Sequence, residues 1–339
     1  MRGPSYDLEI ERVSEKIRRR RARRILLQLP DGLRPQAFKL AAALRERTGA
    51  EVILLGDSCY GACDIALSQA EALGADLLVH YGHSRMLPDA EIPVLYVEAK
   101  VEVDIETLVE EALPLIEGWR TVGLTATAQH VHQLGAAAEA LRRRGMRAVI
   151  GPAGGRTAHS GQVLGCDYGT ARAVADRVDG FLFIGGGRFH PLGLVMATGR
   201  PVVAADPYLA SATAIGEGEL KQLAMRRMAA IAAARAAQRL GVLLSLKPGQ
   251  FDPSLAEALR EKLERHGFEA TIICLDEVRA EALSNFAEAE AFINTACPRV
   301  AMDGVAGLRR PILTVEEAQV MLGERRWEDL WGGSHPPNR

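Results

Sequence analysis

Three cysteines occupy places in the chain where a thiolate can do chemistry. They are Cys59 in Gly56-Asp57-Ser58-Cys59-Tyr60-Gly61-Ala62-Cys63-Asp64, Cys166 in Val163-Leu164-Gly165-Cys166-Asp167, and Cys297 in Asn294-Thr295-Ala296-Cys297-Pro298-Arg299. Each is expected at the carboxyl end of a strand, beside residues that permit a turn: Gly56 and Gly61, Gly165 and Gly169, and Pro298. Open α/β sheets bind their ligands at that end. The positive end of a following helix lowers a thiol's pKa. Three thiolates meeting at one point suit zinc or an iron–sulfur cluster, and a four-iron cluster held by three thiolates keeps one iron open to a substrate. Simple packing is the competing use, since cysteine is among the most buried residue types.

The other two cysteines read as packing residues. Cys63 lies four residues past Cys59 and is expected in a first helical turn, and Cys274 lies inside the apolar run Ile272-Ile273-Cys274-Leu275. By offset from the first strand of its unit, Cys274 matches Cys59 better than Cys297 does. Cys297 is nevertheless preferred, because a loop thiol beside a proline can reach a shared site more readily than one within a strand. Further polar residues stand at strand ends: His80 and His83 around Tyr81-Gly82, His190 in Gly185-Gly186-Gly187-Arg188-Phe189-His190, and Lys247 and Gln250 in Lys247-Pro248-Gly249-Gln250. A lone histidine in such a place is more often a structural hydrogen-bonder than a ligand.

Several familiar motifs are absent. Cys59 and Cys63 have the first spacing of CxxxCxxC, but Ala66 stands where the third cysteine belongs. There is no CxxC zinc knuckle and no GxxxxGK[ST] phosphate loop, and GGGRFH lacks the GxGxxG spacing.

The elements that must position these residues alternate between apolar strands and amphipathic helices. After a helix over residues 6–23, strands are expected at 25–29, 52–55, 76–80 and 94–97. The same order recurs with strands at 121–124, 148–150, 180–184 and 202–205, and again at 241–246, 271–274, 291–294 and 312–315. Helices are expected at 35–48, from about 65 to 73, and at 130–145, 171–178, 253–266 and 277–287, with a long Ala-rich helix over 217–239. The alternation implies parallel sheets with crossover helices. A fixed order at a period near a hundred residues looks like internal triplication. The expected architecture is α/β: three similar domains, each a small four-stranded parallel sheet flanked by helices, arranged around a pseudo-threefold axis. The boundaries are 1–118 with Cys59, 119–213 with Cys166, and 214–339 with the linker helix, Cys297 and a tail. Trp327 and Trp331 in the tail are expected to pack onto a body or subunit.

Composition bounds the alternatives. The chain has 339 residues, 48% hydrophobic and 25% charged, with a formal net charge of -2. That balance gives no global signature for nucleic acid, and the basic run Arg18 to Arg24 reads as a solvated helix end. No apolar run reaches the ~18 residues needed to cross a bilayer, and the N-terminal stretch has no apolar signal core. A cytoplasmic protein with reduced cysteines is expected.

GDSCYGACD, GQVLGCD, GGGRFHPL, KPGQ and NTACPR, in this order and in three similar units, resemble the diphthamide-synthesis enzymes. The likeness runs from about Leu29 to Ala318. It implies a homodimer with a [4Fe-4S] cluster held by Cys59, Cys166 and Cys297, supporting Cys297 over Cys274. It further implies that S-adenosylmethionine (SAM) binds the open iron in non-conventional radical-SAM chemistry, fed by an external electron donor. Its 3-amino-3-carboxypropyl group is then expected to pass to imidazole C2 of a histidine in elongation factor 2, releasing methylthioadenosine. In that setting Arg299 could clamp the SAM carboxylate, and Asp303 could meet the amino group or orient Arg299. Gln250 and His190 could contact the aminocarboxypropyl or ribose groups, and Gly186 and Gly187 would permit close backbone approach. Two other readings are a non-catalytic metal- or ligand-binding subunit of a diphthamide-synthesis complex and, more remotely, a zinc-dependent hydrolase.

Overall fold

The computed structural model describes residues 5–330. Its first sheet holds β1 (Arg24–Gln28), β2 (Glu51–Leu54), β3 (Leu77–Tyr81) and β4 (Val94–Val97), ordered β2-β1-β3-β4 with every pair parallel. The middle sheet holds β5 (Thr121–Ala126), β6 (Arg147–Val149), β7 (Gly180–Ile184), β8 (Val202–Asp206) and β9 (Ser211–Ala214), ordered β6-β5-β7-β8-β9. The last holds β10 (Arg239–Ser245), β11 (Glu269–Leu275), β12 (Ala291–Asn294) and β13 (Ile312–Thr314), ordered β11-β10-β12-β13, again all parallel. The order second-first-third-fourth thus occurs three times, with one extra strand, β9, on the middle sheet. In each sheet the order reverses between the first and third strands, where open α/β folds form their binding crevice.

Parallel sheets are covered on both faces, so their strands read as continuous apolar runs. β3, β7 and β12 are buried at every position. Successive residues still serve opposite faces. Ile25 and Leu27 of β1 join Val13, Ile17, Leu40 and Leu44 in one cluster, while Leu26 joins Ile65, Ala66, Ala70 and Leu78 in another. The last sheet does the same: Leu240, Val242 and Leu244 pack with Leu259 and Leu263, and Leu243 packs with Leu283, Phe292 and Ala301. Each such buried Val, Ile, Leu or Phe side chain contributes about 1.5–3 kcal/mol.

The helices are shorter than expected. They are α1 (Ile10–Arg20), α2 (Ala37–Thr48), α3 (Leu67–Ala72), α4 (Ile105–Ala112), α5 (Leu134–Arg143), α6 (Gly169–Arg172), α7 (Phe189–Thr198), α8 (Glu217–Arg235), α9 (Pro253–Arg265), α10 (Ala280–Ser284), α11 (Pro298–Asp303) and α12 (Val315–Met321). The first helix begins at Ile10 rather than near Tyr6, because Tyr6 pairs in a β-bridge with Val101. α3 starts at Leu67, so Cys63 lies in a turn ahead of it and not in a first helical turn. Cys59 is accordingly too far from α3 for the helix dipole to act on it.

The described residues form two compact units: 5–187 with 203–213, and 188–202 with 214–330. Trp327 and Leu330 pack on the core of the last sheet, whereas Trp331 lies outside the described residues. Among the described residues no helix is long and apolar enough to cross a membrane.

Candidate functional site

The first compact unit carries Cys59 and Cys166. The loop of Cys59 leaves the end of β2 and is tied down from below by Gln28, the last residue of β1. The Gln28 amide nitrogen donates to the Asp64 carbonyl at 2.6 Å, and its Oε1 accepts the Ala66 N–H at 3.2 Å. The Asp64 carboxylate accepts the Tyr60 N–H at 3.3 Å, and Arg34 donates to the Asp57 carbonyl. Cys59 itself is 5% exposed.

Two histidines from the end of β3 face this loop. Cys59, His80 and His83 each offer a donor atom, all within 4.8 Å of one another. His80 Nδ1 lies 2.8 Å from Gln28 Oε1, and its Nε2 lies 3.0 Å from His83 Nδ1. Burial, and then the neighbouring His83, holds His80 well below the ordinary imidazole range, and burial pulls His83 down to about 4. Both rings are therefore neutral at pH 7. Sequence reading placed these histidines at a strand mouth but did not join them to Cys59 or name Gln28. The signal was a glutamine ending an otherwise apolar strand; its partner across the sheet is fixed by register, which one strand alone does not encode.

Cys166 stands at the tip of a tight turn. Leu164 N–H donates to the Asp167 carbonyl at 2.9 Å, and Asp167 N–H returns to Leu164 at 3.1 Å. The Asp167 carboxylate accepts the Arg156 and Gly169 N–H groups, each at 2.7 Å. The Arg156 guanidinium lies 4.0 Å from Cys166 Sγ. Gly151 is required beneath the turn, since a Cβ there would lie 1.7 Å from the Thr170 carbonyl oxygen. The residues before Cys166 form no strand; they run alongside the end of β5 through the Ala126–Gln162 bridge. Cys166 is exposed. In the same unit Gly187 N–H reaches the Asp206 carboxylate at 3.4 Å, and Gly186 backs onto the Tyr208 ring, 2.8 Å from where its Cβ would be.

The second compact unit carries Cys297, which caps α11 at the end of β12. Asn294 holds that corner: its amide nitrogen donates to the Cys297 carbonyl at 2.8 Å and its oxygen accepts the Ala296 N–H at 3.2 Å. One turn on, Arg299 pairs with Asp303 at 2.7 Å and lies over the Phe189 ring, 4.6 Å from its centroid. His190, beside Phe189, is pushed down to about 4 by burial and then by Arg299. Gln250 sits in the turn after β10, its N–H donating to the Lys247 carbonyl at 2.8 Å. Beneath α11, the buried Arg227 donates to the Ala301 carbonyl at 2.6 Å, to the Ile312 carbonyl at 2.7 Å and to both Glu317 oxygens. Removing one member of such a buried pair costs about 3–5 kcal/mol, so Arg227 anchors the corner that presents Cys297 and Arg299.

The three cysteines do not occupy matching strand positions. Cys59 and Cys166 follow the second strand of their sheets, whereas Cys297 follows the third. The residue at the second strand of the last sheet is Cys274, exposed on the edge strand β11. None of the five cysteines is in a disulfide. Each of the three thiols stands on a pinned loop and is a soft donor of the type that zinc or iron–sulfur clusters take. Arg156 supplies positive charge beside Cys166, and Arg299 follows Cys297 by two residues in the chain.

Known proteins resemble this chain along nearly its whole length. The family model for diphthamide synthesis proteins matches residues 29–332. The 2-(3-amino-3-carboxypropyl)histidine synthase of Pyrococcus horikoshii is 38% identical over 332 residues, covering 97% of this chain and 95% of that protein. Subunit 1 of the human 2-(3-amino-3-carboxypropyl)histidine synthase is 31% identical over 340 residues, covering 97% of this chain and 76% of that one. The crystal structure of Dph2 from Pyrococcus horikoshii with a 4Fe-4S cluster superimposes with a TM-score of 0.88 at 37% identity, covering 98% of this chain and 97% of that one.

Proposed function

This chain belongs to the diphthamide synthesis protein family, and from that premise we propose that it is a 2-(3-amino-3-carboxypropyl)histidine synthase. The reaction is transfer of the 3-amino-3-carboxypropyl group of SAM to imidazole C2 of a histidine in elongation factor 2. The SAM Cγ–S bond breaks, a C–C bond replaces the C–H bond at imidazole C2, the C2 hydrogen leaves as a proton, the electron that opened the Cγ–S bond is returned, and methylthioadenosine leaves. The observation that carries this reading is the full-length likeness to a protein that holds a 4Fe-4S cluster, joined to three cysteines on pinned loops.

Cys59, Cys166 and Cys297 would hold the cluster. When bound, it supplies the electron that opens the SAM Cγ–S bond and an open iron that seats the substrate. The reading requires the three loops to meet, as a pseudo-threefold arrangement of the repeats 1–118, 119–213 and 214–339 would bring about.

The chain's own residues do the rest. Arg299 binds the SAM carboxylate in a bidentate grip. Its pair with Asp303 is solvent-exposed, with side-chain exposures of 55% and 42%, and pairs of that kind contribute only about 0–1 kcal/mol. Exchanging Asp303 for a substrate carboxylate therefore costs little. The freed Asp303 accepts from the substrate ammonium. His190, neutral at pH 7, accepts or donates a hydrogen bond without adding charge. Gln250 contacts the ribose or aminocarboxypropyl groups, and the backbone at Gly186 and Gly187 approaches the ligand closely. The protein works as a cytoplasmic homodimer with an external electron donor.

Purification under anaerobic conditions tests the cluster. Near four irons and four sulfides per chain are expected, lost on Cys59→Ala, Cys166→Ala or Cys297→Ala but kept in Cys274→Ala. Stoichiometric zinc without sulfide would overturn the reading, and loss of the cluster in Cys274→Ala with retention in Cys297→Ala would overturn the ligand assignment.

A further inference from the structure

Gln28 fixes the tautomer of His80, the histidine that pairs with His83 beside Cys59. Its oxygen accepts the Ala66 N–H and its nitrogen donates to the Asp64 carbonyl, so the oxygen also faces His80. His80 Nδ1 must then carry the hydrogen, which leaves the lone pair on Nε2. That lone pair accepts from His83 Nδ1, 3.0 Å away, so an ion that takes both nitrogens moves the His83 hydrogen to its Nε2. Two imidazole nitrogens at about 2.0–2.1 Å from a tetrahedral divalent ion stand roughly 3.3–3.4 Å apart, so the observed pair needs only a few tenths of an ångström of opening. Cys59 Sγ completes a three-donor group within 4.8 Å. Gln28 supplies the outer hydrogen bond that a metal-bound histidine characteristically makes through its second ring nitrogen.

The backbone is shaped for this pairing. Gly82 adopts φ 86°, and a Cβ there would lie 2.7 Å from Pro30 Cγ. Only glycine makes that turn without strain, and the turn folds His83 back beside His80.

We propose that, without its cluster, the protein binds one thiophilic divalent cation, zinc or ferrous iron, through Cys59 Sγ, His80 Nε2 and a ring nitrogen of His83. The fourth position is left to water. The site draws on none of Cys166, Cys297 or the second compact unit. Because Cys59 is also a proposed cluster ligand, the single ion and the cluster are alternative occupants of that thiol. The inference goes beyond the proposed activity and stands on Cys59, His80, His83 and Gln28 alone.

Anaerobic titration of the full-length, cluster-free protein with cobalt(II) tests it. One equivalent is expected to give thiolate-to-cobalt charge-transfer absorption in the near ultraviolet and the strong visible bands of a tetrahedral ion, both removed by one equivalent of zinc. Cys59→Ala should abolish the charge transfer, and Cys63→Ala and Cys297→Ala should leave it. His83→Asn should weaken binding by at least the ~10-fold that loss of even an outer partner causes. His83→Cys should restore tight binding and separate a lost ligand from a lost fold. Spectra unchanged in both His80→Asn and His83→Asn, or dependent on Cys166 and Cys297, would overturn the site. Iron and sulfide loading of the wild-type protein is measured separately; if it fails while the cobalt result holds, only the cluster reading falls.

Discussion

Gln28 and His80 occupy matching positions on neighbouring strands, paired in register across β1 and β3, with Gln28 Oε1 2.8 Å from His80 Nδ1. They straddle the point where the strand order of the first sheet reverses, directly under the loop of Cys59. One buried amide therefore satisfies the strand-end histidine, the Ala66 N–H and the Asp64 carbonyl together.

Gln28→Leu keeps the volume and removes all three bonds. Each buried polar group left without a partner costs about 1–3 kcal/mol. Urea unfolding should show the variant less stable by about 2–4 kcal/mol, with an unchanged m-value. Unchanged stability would mean that water replaces the amide without loss.

Asp167 shapes the turn that presents Cys166 by accepting the Arg156 and Gly169 N–H groups. Asp167→Ala should loosen that turn without removing a ligand. Cluster retention against a chelator should fall by about 10-fold or more, the usual effect of losing an outer-shell partner, while Asp167→Asn retains most of it. Equal retention in all three proteins would show that the turn holds itself.

Arg299 is the proposed grip on the SAM carboxylate. A hydrogen bond to a charged group contributes about 1.5–3 kcal/mol, so Arg299→Ala should weaken SAM binding roughly 10- to 100-fold in calorimetry. Arg299→Lys should recover only part, because a point charge cannot make the planar two-bond contact. Unaltered SAM affinity in Arg299→Ala would remove the residue from the site.

Acid should destabilise the fold through its buried histidines. His130 and His190 are both pushed from 6.5 down to about 4, chiefly by burial. Between those values the unfolded chain binds protons that the folded chain does not, so stability rises with pH there. The thermal midpoint should hold steady above pH ~6.5 and fall as the pH drops toward ~4. His130→Gln should flatten that slope; a steeper slope would show that the imidazole is charged in the fold.

The strands other than β9 were legible in the sequence because both faces are covered, which leaves unbroken runs such as Phe181 to Ile184. The cysteine loops were legible because glycine or proline follows those runs. The short helix α11 and the boundaries of α3 and α10 were not, because five or six residues make too few turns to show a period. α7 was hidden behind Gly185-Gly186-Gly187, which reads as loop although the helix starts at Phe189. The grouping of Gln28, His80, His83 and Cys59 depends on which strands become neighbours, and nothing local to Ile25-Leu26-Leu27-Gln28 specifies β3. The anchoring of Cys297 depends on Arg227, seventy residues earlier in a helix whose polar and apolar residues show no stripe.

The most direct test of the account is the fate of SAM. The anaerobically loaded enzyme is reduced and mixed with SAM and elongation factor 2, and the nucleoside products and the modified protein are followed by mass spectrometry. The account predicts methylthioadenosine together with a 3-amino-3-carboxypropyl addition to one histidine of the factor, both absent in Cys59→Ala. Formation of 5′-deoxyadenosine as the main product, or an unmodified factor with SAM intact, would contradict it.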